Sequence, residues 1–283
     1  MATFYNQATL TYSGGTVSSN VTSGELLEVL TVTKTAVVEE YTQGSDITYA
    51  VNIKNSGSIA YTGLTLTDDL GAYQFGETTL QPLDCVDGSV KYFVDGVLQP
   101  APAVTAGPPL AIGGISVPAG STATVLYTAT ANDYAPMSEA ASITNTVTVG
   151  GGGVSDISAS ATVTAASNPV LEIAKSVSPA SVAENGTITY TFVISNTGNA
   201  AADATDDVVV TDTFAPVLCN ISVTYNGEAW ASPANYSYDE ASGVFSTASG
   251  GITVPAATYT QDPATGMWAS EPGTATLTVT GTI

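Results

Sequence analysis

The stretch that decides the fold is LTVTKTAVVEEYTQGSDITYAVNIKNSGSIAYTGLTLTDDL, residues 30–70. A second version occurs at residues 171–214, LEIAKSVSPASVAENGTITYTFVISNTGNAAADATDDVVVTDTF. In both versions a lysine precedes a tyrosine by 15 residues, and that tyrosine precedes an Asn-x-Gly by six. Internal repetition of this kind indicates tandem copies of one structural unit. The chain therefore carries two related domains.

Each copy is rich in short runs of β-branched and aromatic residues. ITYAVNI (residues 47–53) and ITYTFVI (residues 188–194) have a glycine shortly before them and an Asn-x-Gly after them. Such runs between turn signals predict β-strands. The whole chain has 283 residues, which is enough for about two domains with cores of their own. The sequence predicts an all-β fold of two tandem Ig-like β-sandwich domains.

The two copies differ at their C-terminal ends. The first continues through ITNTVTVGGGGVSDISASATV, residues 143–163. In the second, the sequence ends at Ile283. An alignment of Gly120 with Gly273 places Ile283 opposite Thr130 of the first copy. A stretch related to residues 143–163 stands instead ahead of the first copy, at residues 2–24: ATFYNQATLTYSGGTVSSNVTSG. We therefore expect the second domain to be incomplete.

The N-terminal stretch is the candidate for the missing part. Asn6 precedes Lys34 by 28 residues, and Asn145 precedes Lys175 by 30, so the two junctions are equivalent. We expect a donor segment at residues 1–24, a complete Ig-like domain at residues 25–167, and an Ig-like domain lacking its closing strand at residues 168–283. The donor strand would present Ala8, Leu10 and Tyr12 on one face, as alternate strand residues do.

The donor segment lies at the N-terminal end of the chain and the incomplete domain at the C-terminal end. This arrangement predicts that the partners are copies of this chain, joined head to tail. Such a heterologous contact generates an open filament unless its rotation closes a ring. The alternative is that the hairpin folds back onto the second domain of its own chain. It would then have to cross the first domain while remaining contiguous with the strand that begins at Leu30.

Charge excludes several classes of function. Against 25 acidic residues the chain has four lysines and no arginine or histidine, a net charge of −21. Such a charge repels nucleic acid and anionic membranes, and the lack of histidine removes Ser-His-Asp and His-ligated zinc chemistry. No signal peptide or membrane-spanning stretch is visible. We expect no metal, no cofactor and no enzyme activity beyond self-crosslinking.

The repeated motifs resemble the family of repeats called domain of unknown function 11. The positions that match its pattern are Lys34, Gly44, Tyr49, Asn55, Gly57, Asp68 and Asn145 in the first copy, and Lys175, Gly186, Tyr190, Asn196, Gly198 and Asp212 in the second, with Asn6 as the match for the closing asparagine. The resemblance implies Ig-like sandwiches of bacterial and archaeal surface proteins. It implies no particular activity.

The resemblance also invites comparison with Ig-like surface domains that contain isopeptide bonds. A buried lysine can lose its charge, and its amine can then attack an asparagine carbonyl that a protonated acid polarises. The candidates are Lys34, Asp68 and Asn145 within one chain, and Lys175, Asp212 and Asn6 between chains. The alternative is that each Lys–Asp pair is only a salt bridge and each asparagine bonds to backbone.

These observations predict a structural protein, the subunit of a fibre or appendage outside the cell or on a cell or spore surface. The subunits would join by donor-strand complementation, with or without isopeptide bonds. The alternative is a surface adhesin whose loops recognise a glycan or a host protein.

Overall fold

The computed structural model describes residues 2–26 and 29–283. Met1 of the predicted donor segment and positions 27–28 lie outside the described residues. Apart from one 3-10 helix at Ala204–Asp206, all the regular elements of the described part are β-strands. Nothing helical in those residues has the length and apolar character needed to cross a bilayer. The all-β fold is confirmed, with two tandem Ig-like sandwiches, the second incomplete, preceded by a hairpin.

The N-terminal hairpin consists of two consecutive antiparallel ladders. Its strands are β1 (Ala2–Asn6), β2 (Thr9–Tyr12), β3 (Gly15–Ser18) and β4 (Thr22–Leu26). Strand β1 pairs with β4, and β2 pairs with β3. Every side chain from residue 3 to residue 23 is exposed, and that of Leu10 is 64% exposed. The hairpin thus leaves the apolar side chains of residues 3–23 unburied within its own chain.

The first sandwich has two six-stranded sheets that pack face to face. Its strands are β5 (Leu30–Ala36), β6 (Glu40–Tyr41), β7 (Asp46–Asn55), β8 (Tyr61–Asp68), β9 (Tyr73–Phe75), β10 (Thr78–Leu80), β11 (Leu83–Cys85), β12 (Lys91–Val94), β13 (Val97–Leu98), β14 (Ala103–Thr105), β15 (Leu110–Val117), β16 (Thr122–Ala131), β17 (Ser142–Gly151) and β18 (Val154–Ala165). One sheet has the order β13-β12-β16-β7-β5, with β11 also on β16, and the other has the order β14-β15-β8-β17-β18-β6. The remaining strands, β9 and β10, pair with each other in a separate two-stranded sheet.

The core of this sandwich follows from strict alternation along its central strands. In β7 the inward residues Ile47, Tyr49 and Val51 are buried, and the intervening residues are less so. In β17 the inward residues include Val147 and Val149. Alternate side chains of a strand point to opposite faces, so each strand covers the core with one face only. Each fully buried aliphatic side chain contributes roughly 1.5–3 kcal/mol.

The second sandwich repeats only part of this plan. Its strands are β19 (Leu171–Ser178), β20 (Thr187–Asn196), β21 (Thr211–Thr213), β22 (Cys219–Tyr225), β23 (Glu228–Trp230), β24 (Tyr236–Asp239), β25 (Val244–Thr247), β26 (Thr258–Gln261), β27 (Trp268–Glu271) and β28 (Gly273–Thr282). The sheet β19-β20-β28-β22-β23 matches the first sheet of the first sandwich, but the sheet that faces it has only β21-β25-β24. In the described part of the chain, the second sandwich has no counterpart of β17 and β18.

The missing strands leave β19 uncovered. In the first sandwich, β18 packs against β5, whose inward residues are largely shielded from solvent. In the second sandwich, seven of the eight residues of β19 are exposed. Its apolar side chains Ile173 and Val177 are 56% and 43% exposed. The incomplete sandwich thus presents an apolar strip beside an unpaired sheet edge.

A hairpin that the sequence does not predict joins the two sandwiches. It consists of β26 and β27, and it packs its turn against the first sandwich. The side chain of Gln261 donates to the hydroxyl of Tyr73 (2.9 Å), and the backbone N–H of Trp268 donates to the carbonyl of Asp133 (2.9 Å).

The repeated Asn-x-Gly motif closes a loop at one end of each sandwich. Asn55 is fully buried, and its Nδ2 donates to the carbonyl oxygens of Ile59, Val117 and Pro118 (2.7, 3.2 and 3.0 Å). Its Oδ1 accepts from the N–H of Gly57 (2.9 Å). Asparagine suits this position because one side chain supplies both donors and an acceptor to buried backbone.

Replacing this asparagine should destabilise the sandwich that contains it. We expect Asn55→Ala to lower the free energy of unfolding of the first sandwich by about 2–4 kcal/mol, because several buried backbone groups lose their partners. Urea unfolding read by hydrogen exchange in each sandwich measures the loss. The exposed Thr33→Ala on β5 is the matched control and should change stability by less than about 0.5 kcal/mol. Equal effects of the two substitutions would contradict this role.

Candidate functional site

The first candidate site lies between the two sheets of the first sandwich. Lys34 comes from β5 in one sheet, and Asp68 and Asn145 come from the neighbouring strands β8 and β17 in the other. All three residues are buried, and the side chains of Lys34 and Asp68 are 0% and 1% exposed. The structure therefore brings together the three residues that the sequence predicts for the site within one chain.

Hydrogen bonds link these three residues in one continuous network. Lys34 Nζ lies 2.7 Å from Asp68 Oδ2. The hydroxyl of Tyr127 donates to the same oxygen (2.5 Å) and accepts from Asn145 Nδ2 (3.0 Å). The other oxygen of Asp68 accepts from the N–H of Leu70 (3.1 Å). The acid thus contacts the lysine directly and the asparagine through a tyrosine.

Two tyrosine rings enclose the lysine amine. Lys34 Nζ lies 4.8 Å from the ring centroid of Tyr49 and 5.7 Å from that of Tyr127, and the two rings stack at 5.4 Å. Within the described residues, the Tyr49 hydroxyl and Asn145 Oδ1 are buried and have no hydrogen-bond partner. A buried polar atom without a partner costs about 1–3 kcal/mol. The expected polarisation of the Asn145 carbonyl by Asp68 is therefore not present in this structure, in which the acid reaches the amide through Tyr127 and Nδ2 instead.

Burial changes the proton affinities of the site. It lowers the pKa of Lys34 to about 8, although the negative charge of Asp68 opposes the shift. Desolvation, reinforced by the charge of Asp68, raises the pKa of Tyr127 well above its ordinary value. Near neutral pH the lysine therefore has an accessible neutral form, whereas the tyrosine keeps its proton. These are the protonation states that amide transfer requires.

The second candidate site has two of its three predicted members in place. Lys175 of β19 forms an ion pair with Asp212 of β21, with the side chains 41% and 18% exposed. The lysine Nζ lies over the rings of Tyr190 and Phe214, at 4.6 and 5.4 Å from their centroids. Asn6, the predicted third member, lies at the end of β1 in the exposed hairpin. The second site therefore has the lysine and the acid of the first site, but it is open to solvent and, among the described residues, has no asparagine beside them.

The tyrosine that bridges the first site is a residue that the sequence does not single out. Tyr127 lies opposite Tyr49 in the sheet, and the residue opposite the equivalent Tyr190 is Val279. The glycine-based alignment sets Tyr127 opposite Thr280 instead, so it is wrong by one residue. A shift of one residue moves a strand side chain to the other face. Correct strand pairing would have revealed the difference between the two sites.

Neither site has the ligands of a metal centre, because each combines a single carboxylate with a lysine. Throughout residues 2–26 and 29–283, no group of three or more His, Cys, Asp or Glu side chains is placed to hold a metal ion.

No protein-family model matches the sequence, and no curated protein is significantly similar to it. Among solved structures, the chain is similar to the pilus backbone of Streptococcus pneumoniae at 12% identity over 86% of this chain and 55% of that chain (TM-score 0.35). It is similar to the major pilin subunit of Bacillus cereus at 11% identity over 95% and 73% (TM-score 0.36). A collagen-binding domain from a Staphylococcus aureus adhesin matches at 13% identity over 50% and 99% (TM-score 0.31). Likeness at these TM-scores carries no argument about function.

The two ion pairs should differ sharply in their effect on stability. In an Asn145→Ala background, where no Lys34 bond can form, Asp68→Ala should cost about 3–5 kcal/mol because it leaves a buried lysine without a partner. Asp212→Ala should cost at most about 1 kcal/mol, since solvent screens the exposed Lys175. Urea unfolding with hydrogen exchange read separately in each sandwich measures both. Similar losses in the two sandwiches would show that burial does not distinguish the sites.

Proposed function

We propose that this protein is the subunit of an extracellular fibre that polymerises head to tail. In this account the N-terminal hairpin of one copy completes the second sandwich of another. The observation that carries the proposal is the match between the exposed hairpin and the β17–β18 hairpin that closes the first sandwich.

The two hairpins have the same dimensions. Asn6 pairs with Thr22 and Asn145 pairs with Ala161, and each pair is 16 residues apart in sequence. In each hairpin a two-residue turn begins seven residues after the asparagine. In each, the returning strand has one extra residue between the asparagine pair and the turn. The extra residue lies beside the asparagine pair in the N-terminal hairpin and beside the turn in the β17–β18 hairpin. The strand that carries the asparagine has the same length in both hairpins, so it can take the place of β17 without a change of register.

The first sandwich shows what such a hairpin contacts. Strand β17 pairs with β8, with Val147 opposite Asp68 and Val149 opposite Leu66, and β18 packs against β5. The corresponding surfaces of the second sandwich are the edge of β21 that does not pair with β25 and the exposed face of β19. Unpaired edges next to apolar strips favour the addition of a strand.

Transferring the first register to the second sandwich gives specific contacts. Ala8 would lie opposite Asp212, and Leu10 would lie opposite Val210. Ala8 and Leu10 then take the places in which the first sandwich buries two valines of β17. Tyr12 takes the place of Gly151 beside the turn, so the pocket for its ring has no counterpart in the first sandwich.

The same register brings Asn6 to the place of Asn145, beside Lys175 and Asp212. Insertion would also remove these side chains from water. We propose that Lys175 Nζ then bonds to Asn6 Cγ with the loss of ammonia, and that Lys34 bonds to Asn145 in the same way. The proposed surface location rests on the resemblance to repeats of surface proteins.

Head-to-tail growth follows from where donor and acceptor lie. The hairpin precedes the first sandwich, and the acceptor edge belongs to the second. A contact between two different surfaces of the same protein repeats from copy to copy, so it builds a filament unless the rotation closes a ring.

A charge in the donor face should prevent assembly. We expect Leu10→Asp to leave monomers because burial of an unpaired carboxylate costs about 3 kcal/mol or more, which weakens association by roughly 100-fold. The matched control is Thr9→Asp, whose side chain points to the other face of the hairpin. Size-exclusion chromatography and negative-stain electron microscopy of the purified proteins measure the result. Filaments formed equally by both variants would contradict donor-hairpin exchange, and a stable wild-type monomer that binds glycans would favour the adhesin alternative.

The covalent step has its own readout in the same material. Boiled wild-type assemblies should run as a ladder on denaturing gels, with a mass loss of about 17 Da for each bond formed. Lys175→Ala should abolish the ladder, and Lys54→Ala, at an exposed lysine outside both sites, should not. Wild-type filaments that dissociate fully on boiling, with unchanged mass, would refute the intermolecular bond and leave strand exchange standing.

A further inference from the structure

The Tyr127 hydroxyl occupies the middle of the only direct hydrogen-bonded route that the described residues provide from Asp68 to Asn145. Its oxygen lies 2.5 Å from Asp68 Oδ2 and 3.0 Å from Asn145 Nδ2. In the proposed Lys34–Asn145 bond, Nδ2 is the atom that leaves as ammonia. A group that touches both the acid and the leaving atom is placed to move a proton between them.

We propose that Tyr127 is a catalytic residue of the first sandwich, which passes a proton from Asp68 to the leaving nitrogen of Asn145. This inference rests on the proposed Lys34–Asn145 bond and adds to it the route of the proton. It also separates the two sites, because only the first has such a hydroxyl among the residues that the structure describes.

The proton balance of the reaction requires such a route. Lys34 first gives its ammonium proton to Asp68, and the neutral amine attacks Asn145 Cγ to form the Nζ–Cγ bond. The Cγ–Nδ2 bond then breaks, and the nitrogen leaves as ammonia after it takes up one proton. Tyr127 donates that proton and recovers one from Asp68, while Nζ returns its second proton to Asp68. The products are one new amide, ammonia, a protonated Asp68 and an unchanged Tyr127.

The other tyrosine of the site lacks these contacts. Within the described residues the hydroxyl of Tyr49 has no hydrogen bond of normal geometry, and its polar contact with Asn145, which opposes the rise of the Tyr49 pKa, does not extend to the acid. Tyr127 is instead fixed by both bonds and by stacking on Tyr49. Burial and the adjacent carboxylate raise the pKa of Tyr127, which keeps its hydroxyl protonated and able to act as a donor.

The second site must react without this hydroxyl. Val279 stands opposite Tyr190, at the position that Tyr127 has in the first site. The ring of Phe214 packs on Tyr190 at 4.9 Å and lies 5.4 Å from Lys175 Nζ, and it has no polar atom. The Lys34–Asn145 bond within the first sandwich should therefore form faster than the Lys175–Asn6 bond between copies. Each subunit would then contain its internal bond before it is joined covalently to the next.

The test is a time course of the full-length chain made by cell-free synthesis in an Asn6→Ala background, in which only the Lys34–Asn145 bond can form. Intact mass spectrometry follows the loss of about 17 Da. We expect Tyr127→Phe to slow this loss by roughly 100-fold, the usual size of a general acid–base contribution. Hydrogen exchange in the first sandwich verifies that the variant is folded.

The matched control is Tyr41→Phe, which removes the hydroxyl of another buried tyrosine. That hydroxyl donates to the carbonyl of Pro136 (2.5 Å) and lies outside the site. This variant should form the bond at the unsubstituted rate. Equal rates in the folded Tyr127→Phe variant and its parent would overturn the relay while leaving the bond intact. No mass loss in the parent would instead refute the bond itself and the relay with it.

Discussion

A lysine ammonium placed between two β-sheets is the constraint on which this structure depends. A charge in such a place is tolerated only when a partner of opposite sign compensates for the lost contact with water. In the first sandwich, Lys34 has Asp68 as its partner, and the β17–β18 hairpin closes the space around both. In the second, Lys175 and Asp212 form the same pair but remain open to solvent, since the described residues contain no equivalent hairpin there. Closure by the hairpin therefore decides whether each ion pair is buried or exposed.

Stability alone does not account for this arrangement. A buried ion pair is often no better for folding than a pair of well-packed apolar side chains. The first site adds further costs, because among the described residues its amide oxygen and one tyrosine hydroxyl have no partners. The proposed Lys34–Asn145 bond would account for these costs, because it uses the buried amine, the acid and the amide together. Under the proposed function, the open edge of the second sandwich is the site that a second copy would complete.

Much of this could be predicted from the sequence. The repeated Lys, Tyr, Asn-x-Gly and Thr-Asp motifs predict two related sandwiches, and the spacing around Asn145 identifies the N-terminal hairpin as its counterpart. The same motifs identify the three residues that meet in the first site. These predictions come from local patterns whose spacing is preserved between the copies.

The remainder depends on pairing between distant strands. Tyr127 escapes prediction because alignment by glycines is wrong by one residue in β28, and a strand reverses its faces at every residue. The hairpin of β26 and β27, which joins the sandwiches through Gln261 and Tyr73, has no counterpart in the first copy and hence no pattern to predict it. The different exposure of the two lysines arises from the strands around them, which the residues beside each lysine do not encode.

The central claim is that the hairpin of one copy lies in the second sandwich of the next, in the register of β17. A cryo-electron microscopy structure of the purified filaments at residue resolution tests it most directly. The account predicts an added strand on the free edge of β21, with Ala8 opposite Asp212 and the side chain of Asn6 against Lys175. Density for the hairpin against its own chain, or against any other surface of the neighbouring copy, would contradict it.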